Sequence, residues 1–267
     1  MGELRIGIQS LKMSFRSRMQ YRVDALVATL AVFVRESTNI IVIYLALLKF
    51  GKIGDWNVNE MLFLFSILFL TYAIVVSLFA DLRDFSCMIR EGRFDRLVVR
   101  PRGLLFQLIL NNADIIASAG HGTLGLILFL VSAGKVGIVW DLPTILYYVG
   151  AIVGGVLIQG ALFIFFSALS FYFVETNSIR EIFYWNMRKF AGYPISIYSK
   201  LIQTTMIYVV PFAFVNYFPA QYLLRKEDMA NYPEFYMYIA PLVGVILYLA
   251  AYGFWRISVK RYTSTGN

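Results

Sequence analysis

Arg35 and Glu36 stand side by side within one apolar block of the sequence, and Asp114 stands within another. Charges so placed form ion pairs, line a polar path or titrate, and each costs about 2.5–3.5 kcal/mol at the centre of a bilayer. His121 is the lone histidine and Cys87 the lone cysteine. With no second His or Cys and no clustered carboxylates, the sequence offers no metal site, and Cys87 has no partner for nucleophilic work and reads as a structural thiol. A single cysteine also rules out a disulfide framework within the chain. His121 reads as a hydrogen-bonded packing residue near the outer interface. No G-x-x-x-x-G-K-[S/T] run is present, so the chain does not hydrolyse ATP through a phosphate loop. The densest charge lies over 81–103, where six arginines occur.

The elements that must position these residues are membrane spans. The chain has 267 residues, 59% hydrophobic and 15% charged. One soluble core could not bury that apolar content, so lipid is the solvent for much of it. Crossing a hydrocarbon core of about 30 Å takes about 20 apolar residues at 1.5 Å each. The expected fold class is an all-α membrane protein with six transmembrane helices, over 25–48, 60–80, 104–131, 144–174, 201–218 and 235–255. Pro211 and Pro219 interrupt the fifth, and 219–234 reads as an outer segment, partly re-entrant. Glycines at 150 and 154 suit close helix packing. Residues 1–24 read as an interfacial helix, with Leu4, Ile8, Leu11, Phe15 and Met19 on one face and Arg5, Lys12 and Arg16 toward anionic membrane lipids. They do not read as a cleavable signal. Residues 175–200 read as a second interfacial helix, broken near Gly192 and Pro194.

The net charge of +8 could indicate nucleic acid, but no basic stripe lies on a soluble domain, so no nucleic-acid partner is expected. Eighteen of the 24 Lys/Arg instead fall in alternate gaps, over 1–24, 81–103, 174–200 and 256–267. By the positive-inside rule those gaps and both termini are cytoplasmic.

Arg35 and Asp114 each lie eleven residues past the start of their spans, or about 16 Å deep. Adjacent residues do not face each other on a helix, so Arg35 is expected to pair with Asp114 rather than with Glu36. Glu36, with Asn39 one turn on, would then face a cavity or subunit seam. The bland alternative is a packing pair with no place in a substrate path.

In the loop, Leu82–Glu91 should form a short helix that Gly92 ends. Phe94, Leu97, Val98 and Val99 then look like exposed docking residues among the arginines. The run from Ile89 to Pro101 (IREGRFDRLVVRP) resembles the signature loop of bacterial type-2 ABC exporter permeases. The segments YPISIY at 193–198, PFAFVNYFPA at 211–220 and RYTSTG at 261–266 agree with that family. The resemblance spans nearly the whole chain. It implies the permease subunit of an ATP-binding-cassette exporter in the bacterial cell membrane, with a cytoplasmic coupling helix between spans two and three. It implies a separate ATPase dimer carrying ATP and Mg, with no cofactor on this chain, and a second permease, related or identical. Phe94, Asp95, Arg96, Leu97 and Arg100 would then meet the ATPase, while Arg35, Glu36, Asn39 and Asp114 shape the seam. The competing readings are an ion-gradient transporter in which Glu36 or Asp114 titrates, and a non-transporting scaffold or immunity protein.

Overall fold

Within hydrocarbon a helix satisfies its own backbone groups without water, so long apolar runs fold as helices. The computed structural model describes residues 12, 13, 16, 20–110, 114–173, 175–226 and 232–263. Most of the interfacial helix expected over 1–24 lies outside the described residues, and 22–24 belong to the first long helix. Among the described residues the chain is helical, with one isolated β-bridge between Ile53 and Trp56.

Helix α1 (Arg22–Phe50) stops at Gly51, whose φ of 81° glycine adopts without penalty. Helix α2 (Val58–Leu78) opens on a reciprocal cap: the Glu60 N–H donates to Asn57 Oδ1 at 3.1 Å and the Asn57 N–H to Glu60 Oε2 at 2.8 Å. Helix α3 covers Ile115–Ala133. Helix α4 (Leu142–Leu169) is capped by Asp141, which accepts from the Thr144 N–H at 2.9 Å. Helix α5 is Tyr217–Leu224 and α6 is Phe235–Ser258. By length and composition α1, α2, α4 and α6 can each cross a membrane, and the bent pair Lys200–Val209 and Phe212–Leu224 would make a fifth. Helix α2 is central and α1 peripheral: 72% of the apolar window of α2 is buried, against 6% for α1.

Three expectations are corrected. Span three does not begin at residue 104. Leu104–Leu110 is a separate short helix, and α3 starts only after Asp114, whose N–H donates to the Ser77 carbonyl at 3.1 Å beside the last turn of α2. The short helix stays with the arginine-rich loop, where Gln107 Nε2 donates to the Leu97 and Arg102 carbonyls.

Residues 175–200 do not lie along one end of the bundle. Helices α4 and α6 run parallel, with Gly154 against Gly244 and Phe165 against Phe254, so the chain between them must return from one end to the other. It does so here. Arg180 lies 3.7 Å from Asp84 at the arginine-rich end, Arg188 sits over Tyr72, Gly192 meets Phe65 and Ile197 meets Gly54 at the far end. Its mixed charge suggested a surface helix, but while Glu181 and Lys189 are exposed, Arg180 and Tyr184 turn inward. Tyr184 donates to Gln159 Oε1 at 3.0 Å, and Gln159 Nε2 donates to Thr71 Oγ1 at 3.1 Å. Glu181–Asn186 within this return segment is π-helical.

Finally, 201–218 is not one straight span. Pro211 lacks an N–H and the chain bends there by 74°. Val209, Val210 and Pro211 reach the level of Ile158 and Leu162, more than halfway along α4. From there α5 climbs back, and at the far end Tyr222 meets Tyr147 and Lys226 pairs with Glu60 at 3.0 Å. Residues 210–221 are buried throughout, as irregular backbone at membrane depth requires.

Candidate functional site

Arg35, Glu36, His121 and Arg188 gather at the junction of α1, α2, α3 and the return segment. Glu36 Oε1 accepts from Arg35 Nη2 at 2.9 Å and lies 3.7 Å from His121 Nε2. Above the same aromatic floor, the Arg188 guanidinium lies 3.7 Å from the Tyr72 ring centre and 5.8 Å from that of Phe69. His121 stands edge-on to Tyr72 at 4.8 Å and stacked on Phe69 at 6.2 Å. The side chains of Glu36 and His121 are 12% and 6% exposed, that of Arg35 66%. Arg188 Nε and Nη2 are buried without a hydrogen-bond acceptor. Cation–π contact with Tyr72 compensates this guanidinium in part.

The expected Arg35–Asp114 pair does not form. Thr29 Oγ1 donates to the Ile116 carbonyl at 3.1 Å, which sets the register of α1 on α3. Arg35 lies six residues beyond Thr29, about 9 Å further along α1, while Asp114 stays beside Ser77. The late start of α3 thus separates the two in depth. It also carries His121 away from the outer interface to the second turn of α3. Arg35 instead folds back onto its neighbour Glu36, because a long guanidinium stem reaches where two adjacent Cβ atoms do not. Asn39 is exposed on α1. Sequence reasoning missed Arg188; its signal was an arginine one helical turn beyond Tyr184, in a segment read as surface.

At the arginine-rich end the loop is caged. Gly92 has a φ of 65° and ends the helix Phe85–Arg90 as expected. Phe94, however, is not a docking residue: it is fully buried, with ring centres 5.2 Å from Phe85, 5.7 Å from Phe171 and 4.9 Å from Tyr262. Trp255 closes the cluster against Phe85 at 5.2 Å and Phe171 at 5.3 Å. Leu97 is buried too. Asp95 accepts from the Tyr262 hydroxyl at 2.5 Å and so faces the chain itself. From 96 to 102 the loop exposes every residue but Leu97, with Val99 82% exposed, and Asp84, Arg90 and Glu91 are exposed before it. The alternating run thus sends its aromatic and one leucine inward and keeps the arginines and two valines outside. Arg90 ties the loop to Glu175 at 3.0 Å, at the start of the return segment, a surface pair worth at most about 1 kcal/mol.

Burial and the bond to Asp95 push the Tyr262 hydroxyl up to about 12, against about 10 for an unfolded tyrosine. The folded chain therefore favours the neutral phenol. Its contribution to anchoring the loop is complete below about pH 10 and is lost as pH rises from 10 to 12. Emission from Trp255, in the same cage, should report a step in that window. Tyr262→Phe should lack the step, and an unchanged step in that variant would refute the assignment.

The family profile described as "ABC-2 family transporter protein" matches residues 33–266. The chain belongs to that family and is a multi-pass transmembrane protein, a permease of the ABC transporter type. No curated protein and no solved structure matches it.

Proposed function

We propose that this chain is the permease subunit of an ATP-binding-cassette exporter, forming half of a translocation path and driven by a separate ATPase dimer that binds ATP and Mg. The observation that carries the reading is the loop over 81–103, whose run from 96 to 102 exposes every residue but Leu97 while its interior is locked by Phe94. An apolar knob rimmed by arginines fits an acid-lined groove on a soluble partner. In this reading the arginine-rich end and both termini are cytoplasmic, in a bacterial cell membrane. The chain crosses six times, through α1, α2, α3, α4, the return segment and α6, and the segment 200–224 dips in from the outer side.

Force on the loop reaches α4 and α6 through Phe171, Trp255 and Tyr262. It reaches the return segment through Arg90–Glu175 and Arg180–Asp84. The caged contacts make these helices the first to respond, rather than α1 and α2. A second permease, related or identical, covers α1, whose Val34, Ile41, Leu45 and Leu48 are more than half exposed. Arg35 and Asn39 face that seam.

Val99→Asp should abolish co-purification of the ATPase in mild detergent while the permease keeps its thermal unfolding midpoint. Phe94→Ala should lower that midpoint, since deleting a buried phenylalanine costs about 3–5 kcal/mol. Retention of the ATPase by Val99→Asp would refute the docking surface. One observation favours a second reading, an ion-driven transporter: the contact of Glu36 with His121 inside the bundle. That reading expects transport to persist without any ATPase.

A further inference from the structure

An open-sided groove of about 580 Å³ lies between α4, α6, the return segment and the dip at Pro211. Every residue lining it is apolar; Ile158, Leu162, Phe165, Phe183, Val209 and Phe254 define its walls. It opens sideways, since Phe165, Phe183 and Val209 are 40%, 38% and 59% exposed. Along α4 it runs from Ile158 to Phe166, about 12 Å at helical rise, and ends one turn short of the arginine-rich end of α4. One leaflet of hydrocarbon is about 15 Å deep.

What lies beneath the groove is basic. Phe254, at its lower end, stacks parallel to Tyr172 at 6.0 Å, and the Arg261 guanidinium sits 5.0 Å from the Tyr172 ring centre. Lys260 is exposed beside it, and among the described residues neither cation has a carboxylate partner. An apolar slot one leaflet long, with two unpaired cations at its headgroup end, has the shape and charge of an anionic amphiphile.

We infer that this groove holds one acyl chain of an anionic phospholipid, with its phosphate against Arg261 and Lys260. This rests on the reading that the arginine-rich end lies at the inner leaflet. The chain end abuts Val209–Pro211, so the lipid fills the space under the broken helix and supports the dip from below. A free phosphate would leave the apolar slot empty.

The test uses the full-length protein purified in mild detergent and incubated with palmitoyl-oleoyl phosphatidylglycerol or the matching phosphatidylcholine. Native mass spectrometry counts the lipids retained under rising collision energy. Wild type should retain phosphatidylglycerol about tenfold better than phosphatidylcholine, as two basic contacts near a membrane surface allow. Arg261→Glu should erase that preference. Ala250→Trp, which fills the slot from an exposed position on α6, should lower retention of both lipids. Equal retention of the two lipids by wild type would overturn the inference. So would undiminished binding by Ala250→Trp, a retained mass lacking phosphorus, or a protein dimer that Ala250→Trp disperses. ATPase capture is scored on the same samples, so failure of lipid retention with capture intact counts against the groove alone.

Discussion

Gly244→Ala is expected to destabilise the bundle by about 3 kcal/mol, the upper end for overpacking a close-fitted interface. A Cβ at this position would stand 2.4 Å from the Gly154 carbonyl oxygen and 2.9 Å from the Gly154 Cα. Both are backbone atoms, so no rotamer change relieves the clash and the helices must separate. Gly154 is equally confined, its Cβ falling 2.7 Å from the Pro241 Cα. The apposition brings α4 and α6 into parallel contact, and that contact closes the floor of the caged loop. Thermal unfolding in detergent checks it. Gly134→Ala, where nothing lies within 4 Å, should stay within about 0.5 kcal/mol of wild type. Equal midpoints for the two variants would mean that α4 and α6 are not packed backbone to backbone.

Glu36→Ala should cost about 3 kcal/mol, because it removes the acid from a largely buried cluster in which His121 lies 3.7 Å from Glu36 and Arg188 shares the Tyr72 floor. Arg188 already has two buried nitrogens without acceptors, so it has no substitute partner nearby. Arg35→Ala should cost less than about 1 kcal/mol in the isolated subunit, since its side chain is 66% exposed and its pairing with Glu36 is correspondingly weak. Denaturant titration of the purified permease distinguishes the two. If Arg35→Ala proves as damaging as Glu36→Ala, the cluster is organised around Arg35 and the role given to Arg188 is wrong.

Long uncharged runs were legible because lipid imposes one requirement on every residue of a span. Helices α2, α4 and α6 follow from length and hydropathy with no knowledge of neighbours. The glycines at 150 and 154 also announced themselves by spacing, although their partners on α6, Pro241 for Gly150 and Gly244 for Gly154, did not. The return segment was misread for a specific reason. Arg180, Glu181, Arg188 and Lys189 are as polar as a surface helix, and only the packing against α2 and α4, through Arg188 on Tyr72 and Tyr184 on Gln159, distinguishes the segment from one. Phe94 was misread because an aromatic among arginines looks the same whether it points out or in.

Composition and the placement of its cations suffice to say that this chain lives in a membrane and presents a basic loop at one end. Each residue contributes to that outcome locally and additively, through transfer to lipid and through charge. Which charges meet, which face of the loop is free and where the broken helix turns are set by register between segments far apart in the chain. Asp114 stands outside α3, beside Ser77, so α3 meets α1 in a register that no local pattern records. Pairing in the interior depends on that register, so it was decided only when the helices packed.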